Sequence, residues 1–179
     1  MIDTSLAIAG LIVGIIALIP LYYQWRKTRE ITWHQIDKST DKLFQQIRSN
    51  GERFDVLACT PNGGLIMADL IWSNHDRNCN ILCINVEQKK IDLGDRVTVI
   101  DQSWSVPGNM KGKRVIILDD IIKTGGNVRS VIRYLVEDLG VRKSMIKVAC
   151  LGKSKSTPAA LVDYYAFEFE VPPRLPWKS

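Results

Sequence analysis

The stretch Val115–Val128, VIILDDIIKTGGNV, decides how the rest of the chain is read: an apolar run ends in two adjacent carboxylates, then opens into a Gly-Gly turn. A short apolar run bounded by turn residues is the pattern of a buried strand. In an open α/β sheet, ligands bind beyond the carboxyl ends of the strands, where Asp119 and Asp120 are expected to lie. Two adjacent carboxylates repel one another unless a cation or a group with several hydroxyls shares them. A ribose diol or a magnesium-bound sugar would do both. Thr124, Gly125, Gly126 and Asn127 then lead into a helix, so bare backbone N–H groups and the positive helix end can surround a phosphate. Diol first and phosphate second is the layout of a ribose 5-phosphate. The same letters also fit a solvated acidic strand end followed by a helix capped by Asn127.

Working outward, the pattern repeats. Strand-like FDVLAC (54–59) is followed by the turn TPNGG (60–64), helical LIMADLIWSN (65–74) and strand-like NILCINV (80–86). A polar, hairpin-like region runs through Gly112. After the opening stretch come helical VRSVIRYLVEDLG (128–140) and strand-like MIKVACLG (145–152). Trp33, Ile36, Thr40, Leu43, Phe44 and Ile47 recur at helical steps, predicting an amphipathic helix that ends near Asn50 and Gly51. Strands alternating with helices predict an α/β fold, a mainly parallel sheet flanked by helices.

Composition limits the function classes. The 179 residues, 46% of them hydrophobic, suffice for about one well-packed domain. The net charge of +5 is divided between the flank of an apolar N-terminus and the segment Arg142–Lys155, so a nucleic-acid platform is not favoured. Cys59, Cys79, Cys83 and Cys150 have no C-x-x-C spacing and sit mostly in apolar runs; they read as core residues in a reducing compartment rather than zinc ligands or disulfides.

The N-terminus adds a second organisational unit. Ser5–Trp25 is 21 residues without a charged side chain. At a rise of about 1.5 Å per residue it matches a hydrocarbon core roughly 30 Å thick. Asp3 precedes the run, whereas Arg26, Lys27 and Arg29 follow it. This is unlike a cleaved signal peptide and places the following chain on the cytoplasmic side. The expectation is a single-pass protein of the inner or plasma membrane, with residues 1–29 as transmembrane anchor and basic flank and residues 30–179 as a cytoplasmic domain. Gly10 and Gly14 form a G-x-x-x-G compatible with a homo-oligomer.

VIILDDIIKTGGNV resembles the phosphoribosyl-pyrophosphate (PRPP) motif of type I phosphoribosyltransferases: hydrophobic strand, two acids, two apolar residues, one variable residue, then Thr-Gly. FDVLACTPNGGLIMADLI (54–71) looks like the family's pyrophosphate loop. ITWHQIDKSTDKLFQQI (31–47) and ALVDYYAFEFEVPPRLPW (160–177) are similar to the opening helix and closing strand of the xanthine-guanine, or 6-oxopurine, branch. The resemblance implies the type I phosphoribosyltransferase fold over about residues 31–177, magnesium as cofactor, and PRPP and a nucleobase or nucleotide as ligands. It implies that Asp119 and Asp120 hold the ribose hydroxyls and metal, that Lys123, Thr124, Gly125, Gly126 and Asn127 surround the 5-phosphate, and that Asn62, Gly63 and Gly64 hold pyrophosphate. Val86–Lys111 would be a flap, Lys153 or Lys155 would contact a purine 6-oxo group, and Tyr164 or Tyr165 would stack on the base.

Three positions depart from the family pattern. Asn62 stands where the pyrophosphate loop usually carries arginine or lysine, Lys123 where purine enzymes commonly carry an aspartate acting as general base, and Asn127 where a threonine commonly donates to phosphate. With only two residues after Trp177, further contacts over the base are expected to be missing. Two functions follow: a membrane-anchored enzyme moving ribose 5-phosphate from PRPP to a 6-oxopurine or related base, with Lys123 beside the acids in its catalytic set, or a catalytically weak PRPP- or nucleotide-binding sensor at the membrane.

Overall fold

The computed structural model describes residues 30–61, 63–74, 79–90, 96–102 and 109–178. The expected membrane span, residues 5–25, lies outside them. Among the described residues no helix is long and apolar enough to cross a membrane.

Helix α1 (Trp33–Ser49) starts at Thr32, whose hydroxyl accepts from Gln35 N–H while the Gln35 side chain accepts from Thr32 N–H. This reciprocal box satisfies donors that the first turn would otherwise leave unpaired. Ile36, Thr40, Leu43 and Ile47 form its buried stripe. Trp33 does not join them: it is 53% exposed and lies against Trp177, with ring centroids 5.5 Å apart.

Then follow β1 (Val56–Cys59), α2 (Gly63–Asn74), β2 (Asn80–Lys90), β3 (Arg96–Gln102), β4 (Val115–Ile122), α3 (Gly126–Glu137), β5 (Ile146–Ser154) and β6 (Tyr164–Phe169), with short 3-10 turns at Lys143–Met145 and Ala159–Leu161. The sheet order is β3-β2-β1-β4-β5-β6. Five strands are parallel; β3 pairs antiparallel with β2, from Ile84 opposite Gln102 to Lys90 opposite Arg96. The predicted α/β class and the hairpin are therefore present. Of the expected flap, residues 91–95 and 103–108 lie outside the described residues.

The two faces of the sheet carry separate cores. Leu57, Cys59, Ile116, Leu118 and Leu151 pack with α1 and α2, whereas Val56, Ala58, Val115, Ile117 and Val148 pack with α3. The period of two residues in β1, β4 and β5 sends successive side chains to opposite faces. All four cysteines are buried thiols, as the sequence suggests. Burial pushes the Cys59 thiol up to about 12, so it remains neutral in the core.

Candidate active site

The chain order reverses between β1 and β4, because β2 lies on one side of β1 and β5 on the other side of β4. A crevice opens at such a switch point, beyond the carboxyl ends of the strands. Thr60, the first residue after β1, spans it: its Oγ1 donates to Asp119 Oδ1 at 2.8 Å. The sequence reading missed this residue; a hydroxyl directly after the neighbouring strand was its only signal.

Contrary to the sequence expectation, the acids are not at the end of their strand, because β4 continues through Ile121 and Ile122. Nor do they share one environment. Asp119 Oδ1 accepts from Thr60 and from Asp120 N–H (3.0 Å), while its other oxygen accepts no hydrogen bond among the described residues. Asp120 is 3% exposed and turns the other way, toward Trp177 Nε1 (2.9 Å) and Lys178 Nζ (2.8 Å). The alternation of faces breaks just after the acids: Ile121 packs with the core of α1 and α2, and Ile122 with that of α3. Burial, then the charge of Asp120, pushes the Asp119 carboxyl up to about 6, against the opposing pull of Thr60, Asp120 N–H and Lys178.

Gly63 and Gly64 have a steric role. A Cβ on Gly63 would fall on the Asp120 carboxylate, and one on Gly64 on the Leu118 carbonyl. Only a chain without side chains lets the start of α2 approach β4 this closely. Asn62 lies outside the described residues.

The turn after β4 has Gly125 at φ 75°, the left-handed region, as the N-cap of α3, so Asn127 is not the cap that the alternative reading gave it. Asn127 is instead an exposed residue of the first turn. The turn is pinned from two sides. Thr157 Oγ1 donates to the carbonyls of Ile122 (3.1 Å) and Lys123 (2.7 Å), and Arg129 donates to the Thr124 carbonyl (2.8 Å). Asp119 and residues 121–128 line one cavity of about 250 Å³, which brings the open acid together with Lys123, Thr124, Gly125, Gly126 and Asn127.

The paired lysine and tyrosine expectations separate. Lys153 lies on β5, 8% exposed, with its ammonium 3.1 Å from Glu168 and 4.2 Å from the centroid of the Tyr165 ring. Lys155 follows the strand, exposed, in an ion pair with Glu170. Tyr164 belongs to the core against α1 and α2, so it does not present a free face for stacking on a base; alternation along β6 leaves Tyr165 on the other face, under Lys153. Among the described residues no three His, Cys, Asp or Glu side chains group to cage a metal. A magnesium ion suits such a site when one or two carboxylates hold it and the ligand's oxygens complete its shell; the open oxygen of Asp119 is a suitable donor.

A sheet of this order, with an acid pair and a glycine turn at its switch point, is the arrangement the resemblance to type I phosphoribosyltransferases leads one to expect. The phosphoribosyl transferase domain model matches residues 31–177, and the chain belongs to that family. Among solved structures, it is similar to a purine phosphoribosyltransferase from Pyrococcus horikoshii Ot3 at 31% identity and TM-score 0.69, over 86% of this chain and 95% of that one. It also shares its fold with a Helicobacter pylori xanthine-guanine-hypoxanthine phosphoribosyltransferase (14% identity, TM-score 0.68, 84% of this chain and 93% of that one). An adenine phosphoribosyltransferase from Thermoanaerobacter pseudethanolicus is a more distant match in fold (18%, 0.55, 76% and 81%). No curated protein matches the sequence.

Proposed function

We propose that the chain transfers ribose 5-phosphate from PRPP to a 6-oxopurine and that residues 5–25 hold it at a membrane, with residues 30–179 on the cytoplasmic side. The observation that carries the reaction is the single cavity joining Asp119 to the Lys123–Asn127 turn. A ribose hydroxyl can donate to the open Asp119 oxygen while the 5-phosphate accepts from the N–H groups at the start of α3. In the transfer, the bond from sugar C1 to pyrophosphate oxygen breaks, a bond from C1 to a base nitrogen forms, and the base N–H proton passes to the departing pyrophosphate or to water. Magnesium held by Asp119 and Asp120 would neutralise charge on the departing pyrophosphate. Asn62, Gly63 and Gly64 would offer it amide donors.

The 6-oxo preference rests on Lys153. An ammonium only donates hydrogen bonds, so it accepts the keto oxygen of hypoxanthine, guanine or xanthine as a partner and rejects the 6-amino group of adenine. Tyr165 and Glu168 hold it in place. Membrane attachment is supported by the uncharged run and its basic flank. Pyrophosphate release from PRPP with hypoxanthine, guanine, xanthine and adenine tests the reaction: release with the first three, and little with adenine, is expected. Release with adenine alone would remove the 6-oxo assignment. Resistance of the full chain to alkaline carbonate extraction from membranes tests the anchor, and recovery in the soluble fraction would remove it.

A further inference from the structure

Asp120 is filled from within the chain. A carboxylate offers about four lone-pair positions. Oδ1 accepts from Ile121 N–H (2.6 Å) and Lys178 Nζ (3.0 Å), and Oδ2 from Trp177 Nε1 (2.9 Å) and the same ammonium (2.8 Å). A diol or a metal ion therefore finds no vacancy on Asp120 while Lys178 is in place. The two members of this ion pair differ in setting: the Asp120 side chain is 4% exposed and that of Lys178 52%.

The segment that delivers the lysine is held firmly up to Trp177. Leu175 is buried in the core of α1 and α2, the Arg174 carbonyl accepts from Ile31 N–H at 3.0 Å, and Trp177 lies against the Trp33 ring. Beyond Trp177, Lys178 is fixed by its N–H to the Leu175 carbonyl (2.9 Å) and by the Asp120 contact. A long, half-exposed side chain loses rotamer freedom in such a pair, so the pair is a modest one.

We propose that Lys178 is a displaceable strap: its ammonium competes with a divalent cation and with sugar hydroxyls for Asp120, and ligand binding requires it to swing into solvent. Trp177 is the complementary positioning residue. Its indole N–H keeps the carboxylate oriented while the lysine is away. A divalent ion with bound sugar oxygens exceeds a monovalent ammonium in both charge and number of contacts, so the exchange runs toward the ligand when both are present. The inference rests on the acid-pair reading given above.

The test uses the full chain in detergent, with Mn²⁺ and ribose 5-phosphate as probes, and two readouts that need no turnover. Mn²⁺ binding is followed by electron paramagnetic resonance. Lysine reactivity toward acetic anhydride is followed by mass spectrometry. Lys178→Ala is expected to tighten Mn²⁺ binding in the presence of ribose 5-phosphate about two- to fivefold, the equivalent of an ion pair of about 0.5–1 kcal/mol. Lys178→Arg, which keeps a competing cation, is expected to remain near wild type. In the wild type, acetylation of Lys178 should rise when both probes are added. Weaker Mn²⁺ binding by Lys178→Ala, or protection of Lys178 by the probes, would make the lysine a ligand contact and overturn the strap. Equal binding with unchanged reactivity would overturn it too. Absence of Mn²⁺ binding by every form would overturn the strap together with the acid-pair reading.

Discussion

Asp119 and Asp120 are neighbours on one strand, yet one opens on the cavity of the phosphate turn while the other lies beneath Trp177 and Lys178. Adjacent like charges are tolerated here by two different means. Asp120 has a counter-cation and a full set of donors. Asp119 has two donors on one oxygen, an ionisation pushed up to about 6, and a second oxygen that accepts no hydrogen bond among the described residues. A buried carboxylate without a paired cation is costly to ionise, and donors on one oxygen offset only part of that cost. Among the described residues no cation pairs directly with Asp119, so on the proposed function it is the acid whose charge a ligand would neutralise.

Removing both charges should have the largest effect. With Asp119→Asn and Asp120→Asn together, two charged acceptors of about 1.5–3 kcal/mol each disappear, so Mn²⁺-dependent ribose 5-phosphate binding should fall more than about a hundredfold by calorimetry. Unchanged affinity would mean that the pair serves the fold alone, through Thr60, Trp177 and Lys178. At the base end, Lys153→Met should reduce the preference for hypoxanthine over adenine by about ten- to a hundredfold, because an unpaired buried keto group loses a charged donor. An unaltered ratio of kcat/KM values would place base recognition elsewhere.

A pH series sharpens the contrast between the acids. The folded-state ionisation of Asp119, near 6, lies above its ordinary value of 3.8. Between these values the folded chain holds a proton that the unfolded chain has lost, so the contribution to stability is present below about pH 4 and lost as pH rises through about 6. Asp119→Asn should therefore raise Tm above pH 6.5, by an amount equivalent to about 1–2 kcal/mol, and the gain should shrink toward pH 4. Cation-assisted binding to the wild type should rise through the same window as the carboxylate ionises. A gain in Tm that is flat with pH would show that Asp119 is not held protonated by its surroundings.

What the sequence revealed follows the range of the interactions. The β4 acids, the Gly-Gly turn and α3 are contiguous, so the succession of strand, acids, turn and helix could be read from the local sequence. The alternation of strands and helices announced the sheet in the same way. Thr60 and Lys178 could not be found like this, because they reach Asp119 and Asp120 from 59 and 58 residues away. The lysine and tyrosine pairs show a second limit. Whether Tyr164 or Tyr165 faced the core depended on the phase of β6, and Lys153 could be told from Lys155 only once β5 was seen to extend to Ser154. A one-residue shift in a strand exchanges its faces, and no local signal fixed that shift.

Lys155 supplies the smallest effect. It lies two residues beyond Lys153, carries the same charge and also pairs with a glutamate on the neighbouring chain segment, yet its surroundings differ. The Lys155 and Glu170 side chains are 60% and 64% exposed, so water and salt compete for both partners. Its backbone N–H bonds to the Phe169 carbonyl at 2.9 Å, a contact that alanine retains. Lys155→Ala should therefore leave Tm and the preference among purines unchanged in the same assays that register Lys153→Met. A fall in preference as large as that of Lys153→Met would transfer base recognition to the exposed lysine, and with it the claim that burial on β5 selects the recognising ammonium.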